Sequence, residues 1–301
     1  MEIGNPRLSI GMPVYNGERY IREALDSILS QTFDDFELII SDNASADSTA
    51  EICKEYALKD RRIRFYQNSI NLGAVANFNL VFELSTGEYF KWAAHDDLLH
   101  PEFLRQCIKK LDQDSSIILC HSKVFKIDQN GNMIGSHEIA MASDAQKPHE
   151  RFHELVNVNH SCTAIFGVIR RELLANTNLI GKFVGSDRIL LAELGLYGRI
   201  IELPEYLFYQ RDHAQASSRI NYYRRMSWFD PKKSGYLSLP NFRKAVEYFR
   251  SATRVPLKWR ERVSCYRSIV RWIIHERNIF IEDFKAILIN VWPISTINQY
   301  R

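Results

Sequence analysis

Cysteine is sparse in this chain of 301 residues and shows no pairing pattern. Cys53, Cys107, Cys120, Cys162 and Cys265 are odd in number, scattered, and form no C-x-x-C pair. A disulfide framework and a structural zinc site are therefore not expected, and the five read as free thiols of a reducing cytoplasm. Long apolar runs are also missing. A spanning helix needs about 18 uncharged apolar residues, and the nearest approach, 286–297, is broken by Asn290 and Pro293. The first seven residues are polar and lack the apolar stretch of a secretory leader, so we expect a cytoplasmic protein. Charge of one sign is lacking too. The 39 Lys and Arg against 36 Asp and Glu leave +3, which gives no argument for a nucleic-acid partner. No G-x-G-x-x-G follows the first strand-like run, which disfavours a dehydrogenase.

What is present suits a large core. Apolar residues make up 46% and charged residues 25%, enough for one α/β domain with or without an appendage. The first third alternates in type. Residues 8–12, 36–40, 63–66 and 88–92 read as buried strands. Residues 18–30, 47–58, 73–84 and 101–111 read as helices, with Asp47 or Ser45 placed to cap the second and Pro101 in the first turn of the last. This order predicts parallel strands covered by helices on both faces. The pattern then loosens: a strand over 117–127, a hairpin turn at Gln129-Asn130-Gly131-Asn132, helices over 149–156 and 186–196, strands over 199–203 and 206–209. After about Asn221 the chain turns basic and aromatic, with helices expected over 239–253, 256–276 and 281–291. We divide it into an α/β domain, 1–220 (halves 1–111 and 112–220), and a helical C-terminal appendage, 221–301.

Ligands of open α/β sheets bind at the carboxyl ends of the strands. The four segments that follow the first four strands bring Pro13-Val14-Tyr15-Asn16-Gly17-Glu18, Ser41-Asp42-Asn43, Asn71-Leu72-Gly73 and His95-Asp96-Asp97 to one rim. The Asp pair closes an apolar strand. Adjacent carboxylates repel unless a cation or donors neutralise them, and oxygen ligands suit Mg²⁺ or Mn²⁺ completed by substrate phosphates. Asp42 is placed either to accept the imide N–H of uracil or thymine or to make a turn.

The runs PVYNGERYIREALDSILSQTFDDFELIISDNASADST, NLGAVANFN and STGEYFKWAAHDD, in this order, resemble the family 2 glycosyltransferases of the GT-A fold. The likeness is dense over 7–111 and looser to about 218. It implies a Rossmann-like mixed sheet flanked by helices and an inverting transfer from a nucleotide-sugar donor to a saccharide or lipid-linked saccharide acceptor. By the same resemblance Pro13, Tyr15 and Glu18 line the nucleotide, Asp42 reads the base (uridine or thymidine), Asn71 and Gly73 stand nearby, Asp96 lies near the ribose and Asp97 holds the metal. Gly185-Ser186-Asp187 resembles the segment that supplies the catalytic base, with Ser186 in place of the family's Glu and Asp187 as the base; the alternative is that Asp187 caps the helix that follows. His213, in RDHAQASS, resembles the late histidine that reaches metal or diphosphate. The family's D-x-D-D run is here Ala94-His95-Asp96-Asp97, short of its first Asp.

Arg211 and Arg219 are further phosphate-binding candidates, and Trp92 and Trp228 could stack on a sugar, although Trp92 reads rather as core. Two rivals stay open: a catalytically impaired nucleotide-sugar-binding scaffold, and a sugar nucleotidyltransferase, against which the loop at 13–19 counts because it is neither Gly-rich nor strongly basic. The basic, aromatic C-terminal helices fit packing on the catalytic domain, peripheral contact with the inner face of a membrane, or a homo-oligomer. The sequence points to surface-polysaccharide or glycolipid synthesis by analogy alone.

Overall fold

A computed structural model of the chain describes residues 5–136, 143–216, 219, 239–281 and 283. Trp228 and the helix expected over 281–291 beyond Asp283 lie outside them, as does most of the basic segment after Asn221. The elements in order are β1 (Leu8–Val14), α1 (Ile21–Leu29), β2 (Phe36–Asp42), α2 (Thr49–Lys59), β3 (Ile63–Gln67), α3 (Ala74–Glu83), β4 (Tyr89–Trp92), β5 (Leu98–Leu99), α4 (Phe103–Gln113), β6 (Ile117–Ile127), β7 (Met133–Ser136), α5 (Pro148–Asn157), β8 (Val168–Arg170), α6 (Arg171–Ala175), α7 (Ser186–Tyr197), β9 (Arg199–Arg211), α8 (Pro240–Arg254) and α9 (Trp259–His275). A short 3-10 helix, Cys162–Phe166, precedes β8.

The sheet is mixed and runs β3-β2-β1-β4-β8-β6-β9-β5, with β7 beside β6. β1 to β4 pair in parallel, and β8 enters antiparallel between β4 and β6. β1 and β2 are buried along their whole length, as strands covered on both faces must be. Gly11 in β1 is a close approach: a Cβ there would stand 2.6 Å from Val81 Cγ2 of α3. The two strands expected at 199–203 and 206–209 are one, β9. It passes Pro204 and Glu205 through a bulge, since Ser122 of β6 faces Leu203 while Lys123 faces Tyr206. Proline is tolerated in a sheet at such an irregularity because it owes no ladder hydrogen bond there.

Two clusters form the core. One lies under α1, α2 and α4. The other gathers α3, α5 and α7 and also takes in Tyr248 and Ala252 of α8 and Ile269 and Trp272 of α9. α8 is tied to α7 as well: Glu193, 2% exposed, accepts from Ser251 Oγ at 2.7 Å and from the Arg254 guanidinium.

Candidate donor site at the carboxyl ends of β1 to β4

A cavity of about 440 Å³ opens where β1 to β4 end. The β1 loop supplies Pro13, Tyr15, Asn16 and Gly17, the β2 and β3 ends supply Asn43, Asn71 and Gly73, and the β4 end supplies Ala94, His95 and Asp96. Phe166 of the 3-10 helix and His213 after β9 close the far side. Of the residues expected at a ligand, Pro13, Tyr15, Asn71, Gly73, Asp96 and His213 are thus brought together. Asn43, placed on the rim by the sequence but given no role there, also faces the cavity. Its side chain links the loops: Nδ2 donates to Asn71 Oδ1 at 2.9 Å and Oδ1 accepts from Leu72 N at 2.9 Å.

Of the residues expected at a ligand, Glu18, Asp42, Asp97 and Asp187 do not line the cavity. Glu18 turns to α2 and accepts from Ser48 N at 2.9 Å. Asp42 is wholly buried; Oδ1 accepts from Ser45 N at 3.2 Å and from its hydroxyl, and Oδ2 from Gln67 Nε2 at 3.2 Å. It makes the turn that carries Asn43, the alternative weighed for it. Asp47 accepts from Thr49 N at 3.1 Å at the start of α2. Asp97 and Asp187 need a fuller account.

Asp96 and Asp97 are neighbours in sequence with opposite surroundings. Asp96 faces the cavity, with Oδ2 2.9 Å from His213 Nε2. Burial alone would raise its pKa, but the His213 hydrogen bond and the nearby His95 bring it below the usual range. Asp97 sits beneath, and its Oδ1 accepts from Arg211 N at 2.9 Å. Burial, then the Asp96 charge, hold its pKa well above the usual range. Arg211 is not a free phosphate ligand. Its side chain is fully buried, 2.6 Å from Glu23 Oε2, donating Nε to Asp96 O at 2.9 Å and Nη1 to the carbonyls of Asp128 and Gln129. It also lies 4.7 Å over the Tyr20 ring, which in turn stands 4.8 Å from the His213 ring. Arg219 is paired with Asp212 at 2.7 Å. Trp92 is core, its Nε1 donating to Phe78 O at 2.9 Å.

Lys91 lies wholly buried below the site. Its ammonium donates to the carbonyls of Trp92 and Phe166, between the rings of Phe103 at 4.8 Å and Phe208 at 5.5 Å. Burial pulls its pKa down to about 7.

Asp187 is the second residue of α7. The cap is Gly185 at φ 88°, not Asp187, and Asp187 Oδ1 accepts the adjacent Arg188 N–H at 2.8 Å. Lys244 of α8 lies against Gly185; a Cβ there would stand 3.2 Å from its Cε. Asp187 also stands near Cys162, whose thiol is pushed up by burial and by that carboxylate. Cys162 begins the 3-10 helix that ends in the cavity-lining Phe166. Among the described residues no group of three or more His, Cys, Asp or Glu is arranged to hold an ion. His95, Asp96 and His213 are the imidazole and carboxylate side chains that line the cavity, types that suit a divalent cation completed by phosphate and water.

The profile of the family described as Glycosyl transferase family 2 matches residues 9–177. A curated relative, the uncharacterized glycosyltransferase MJ1057 of Methanocaldococcus jannaschii, is 37% identical over 135 residues, 44% of this chain and 47% of that protein. The chondroitin synthase of Escherichia coli is 32% identical over 131 residues, 44% of this chain and 19% of that protein. The matched part is thus under half the length of these relatives. Among solved structures, residues 1–349 of Staphylococcus aureus TarS with UDP-GlcNAc superpose with a TM-score of 0.65 at 18% identity, covering 94% of this chain and 81% of that one. The Pyrobaculum calidifontis mannosyltransferase PcManGT with GDP-Man and Mn²⁺ gives 0.53 at 16% identity, covering 97% and 88%. The mixed sheet, with helices on its faces and at the C-terminal end, is the GT-A fold of these structures, and with more than half of its length matched by the family profile the chain belongs to the family 2 glycosyltransferases.

Proposed function

We propose that the protein transfers a sugar from a nucleoside diphosphate sugar to an acceptor hydroxyl. The observation that carries this reading is the Asp96–His213 pair facing the cavity at the strand ends. UDP-GlcNAc bound to TarS and GDP-Man with Mn²⁺ bound to PcManGT support a nucleoside diphosphate sugar in that cavity. The nucleoside is assigned to the end formed by Pro13, Tyr15, Asn43, Asn71 and Gly73, with Asp42 fixing the loop below it and Glu18 bracing the neighbouring turn. The diphosphate is assigned to the end at Asp96 and His213. The cation role thereby passes from Asp97, which is engaged by Arg211, to Asp96. Mn²⁺ or Mg²⁺ held there would neutralise the charge that develops on the leaving diphosphate.

Asp187 is assigned as the base. The acceptor oxygen attacks the anomeric carbon, the bond from that carbon to the diphosphate oxygen breaks, and the acceptor proton goes to the Asp187 carboxylate. One in-line displacement inverts the anomeric centre. An acceptor in surface-polysaccharide or glycolipid synthesis is the proposed setting, by analogy with the chondroitin synthase among the relatives.

The test is thermal denaturation with UDP-, dTDP- and GDP-sugars, with and without Mn²⁺. A rise that needs Mn²⁺ and one nucleotide class, and that Asp96→Asn removes, is expected. A rise in Asp96→Asn equal to that of the parent chain would refute the cation assignment. Asp187→Asn should keep the rise and lose transfer; donor-dependent stabilisation without transfer in the parent chain would favour the scaffold reading.

A further inference from the structure

We infer that the outer face of α9 is a docking surface for an anionic lipid bilayer. This is independent of the transfer reading. At helical spacing along α9 and the turn beyond it, Arg260, Arg267, Val270, Arg271, Ile274 and Arg277 fall on one side and are exposed. The opposite side, with Cys265, Ile269 and Trp272, is buried in the core that α5 and α7 share. Val270 is 47% and Ile274 61% exposed. No carboxylate stands on the stripe: Glu261 turns inward to His149. Among the described residues none of the four guanidinium groups has a carboxylate partner. A groove of about 810 Å³ runs along the same face, lined by aliphatic and arginine side chains together.

Cations with no carboxylate partner among the described residues, and exposed aliphatic side chains, share one face about 26 Å long from Arg260 to Arg277 at 1.5 Å per residue, and ask for a partner that is anionic at its surface and apolar just below. A bilayer with acidic headgroups is such a partner. A second copy is disfavoured, because two such faces would oppose arginine to arginine. Each guanidinium near an anionic leaflet strengthens binding about fivefold.

The experiment is cosedimentation of the full chain with vesicles of phosphatidylcholine alone and of phosphatidylcholine with phosphatidylglycerol, at low and high salt. Binding to the acidic vesicles only, weakened by salt, is expected. The double variant Arg267→Gln/Arg271→Gln should bind roughly 30-fold more weakly, and Ile274→Ser should also bind less. These side chains are exposed, so circular dichroism and thermal melting should match the parent chain. No binding to acidic vesicles overturns the proposal and leaves an acidic protein as the occupant. Equal binding to neutral vesicles, or full binding by the double variant, overturns it as well. So does a dimer that the double variant splits without any vesicle binding, which would make the face a contact between copies.

Discussion

Two adjacent aspartates do different work because the backbone turns one up into the cavity and the other down onto Arg211. Asp96→Asn should leave stability close to that of the parent chain while removing the Mn²⁺-dependent rise with donor. Asp97→Ala leaves the buried Arg211 N–H without an acceptor, which costs about 1–3 kcal/mol; chemical denaturation should show a loss in that range. The family resemblance gave the metal to Asp97 and the ribose to Asp96, but neither composition nor spacing says which way each side chain leaves the strand end. Asn43 was equally silent, being one of several short polar residues in a turn. Lys91 is a second residue whose environment, not its identity, decides its behaviour. Its ammonium has a folded pKa of about 7 against about 10.4 in an unfolded chain. From pH 7 upward the unfolded chain therefore holds a proton that the folded chain has released, so this residue makes stability rise with pH. Comparison of denaturation at pH 7 and pH 9 should show that rise, at most about 1.4 kcal/mol per pH unit, and Lys91→Met should lack it.

Most elements were legible because their apolar periods are strong. β1, β2 and α4 come out within a few residues of the pattern, each with its apolar positions buried. β5, with two residues, and β8, with three, carry too little pattern to be read, and their place is set by the strands on either side. Pro204 divided β9 on paper because nothing in the sequence announced a bulge opposite Ser122 and Lys123. At this scale the packing between α3 and β1 is a sharp test. Gly11→Ala pushes a methyl to 2.6 Å from Val81 Cγ2 and 3.0 Å from Phe90 Cζ, and overpacking of this kind costs about 1–3 kcal/mol. The tie between α7 and α8 is another. Glu193→Ala leaves Ser251 and Arg254 without their acceptor. Breaking a buried pair costs about 3–5 kcal/mol; with Arg254 28% exposed, about 2 kcal/mol is expected on the same scale, measured as a lower denaturation midpoint with an unchanged slope.

For the whole molecule, the C-terminal helices are part of one core and not a detachable addition. Tyr248, Ile269 and Trp272 share a cluster with Phe152, Leu190 and Ile165. A chain ending before Pro240 would expose that surface, and we expect it to be less soluble and to bind a hydrophobic dye more strongly than the full chain; solubility and dye fluorescence decide it. The sequence showed these helices but not their partners, because contact between distant segments leaves no mark in local periodicity. The Arg211 clamp has a consequence for synthesis. It joins Glu23, Asp96, Asp128 and Gln129, positions that leave the ribosome long before Arg211 itself does. The first four strands can pair while the chain is still growing, as segments with nearer contacts form sooner. The mouth of the cavity waits for β9, so a nascent chain stalled before Arg211 would carry the sheet without a finished site.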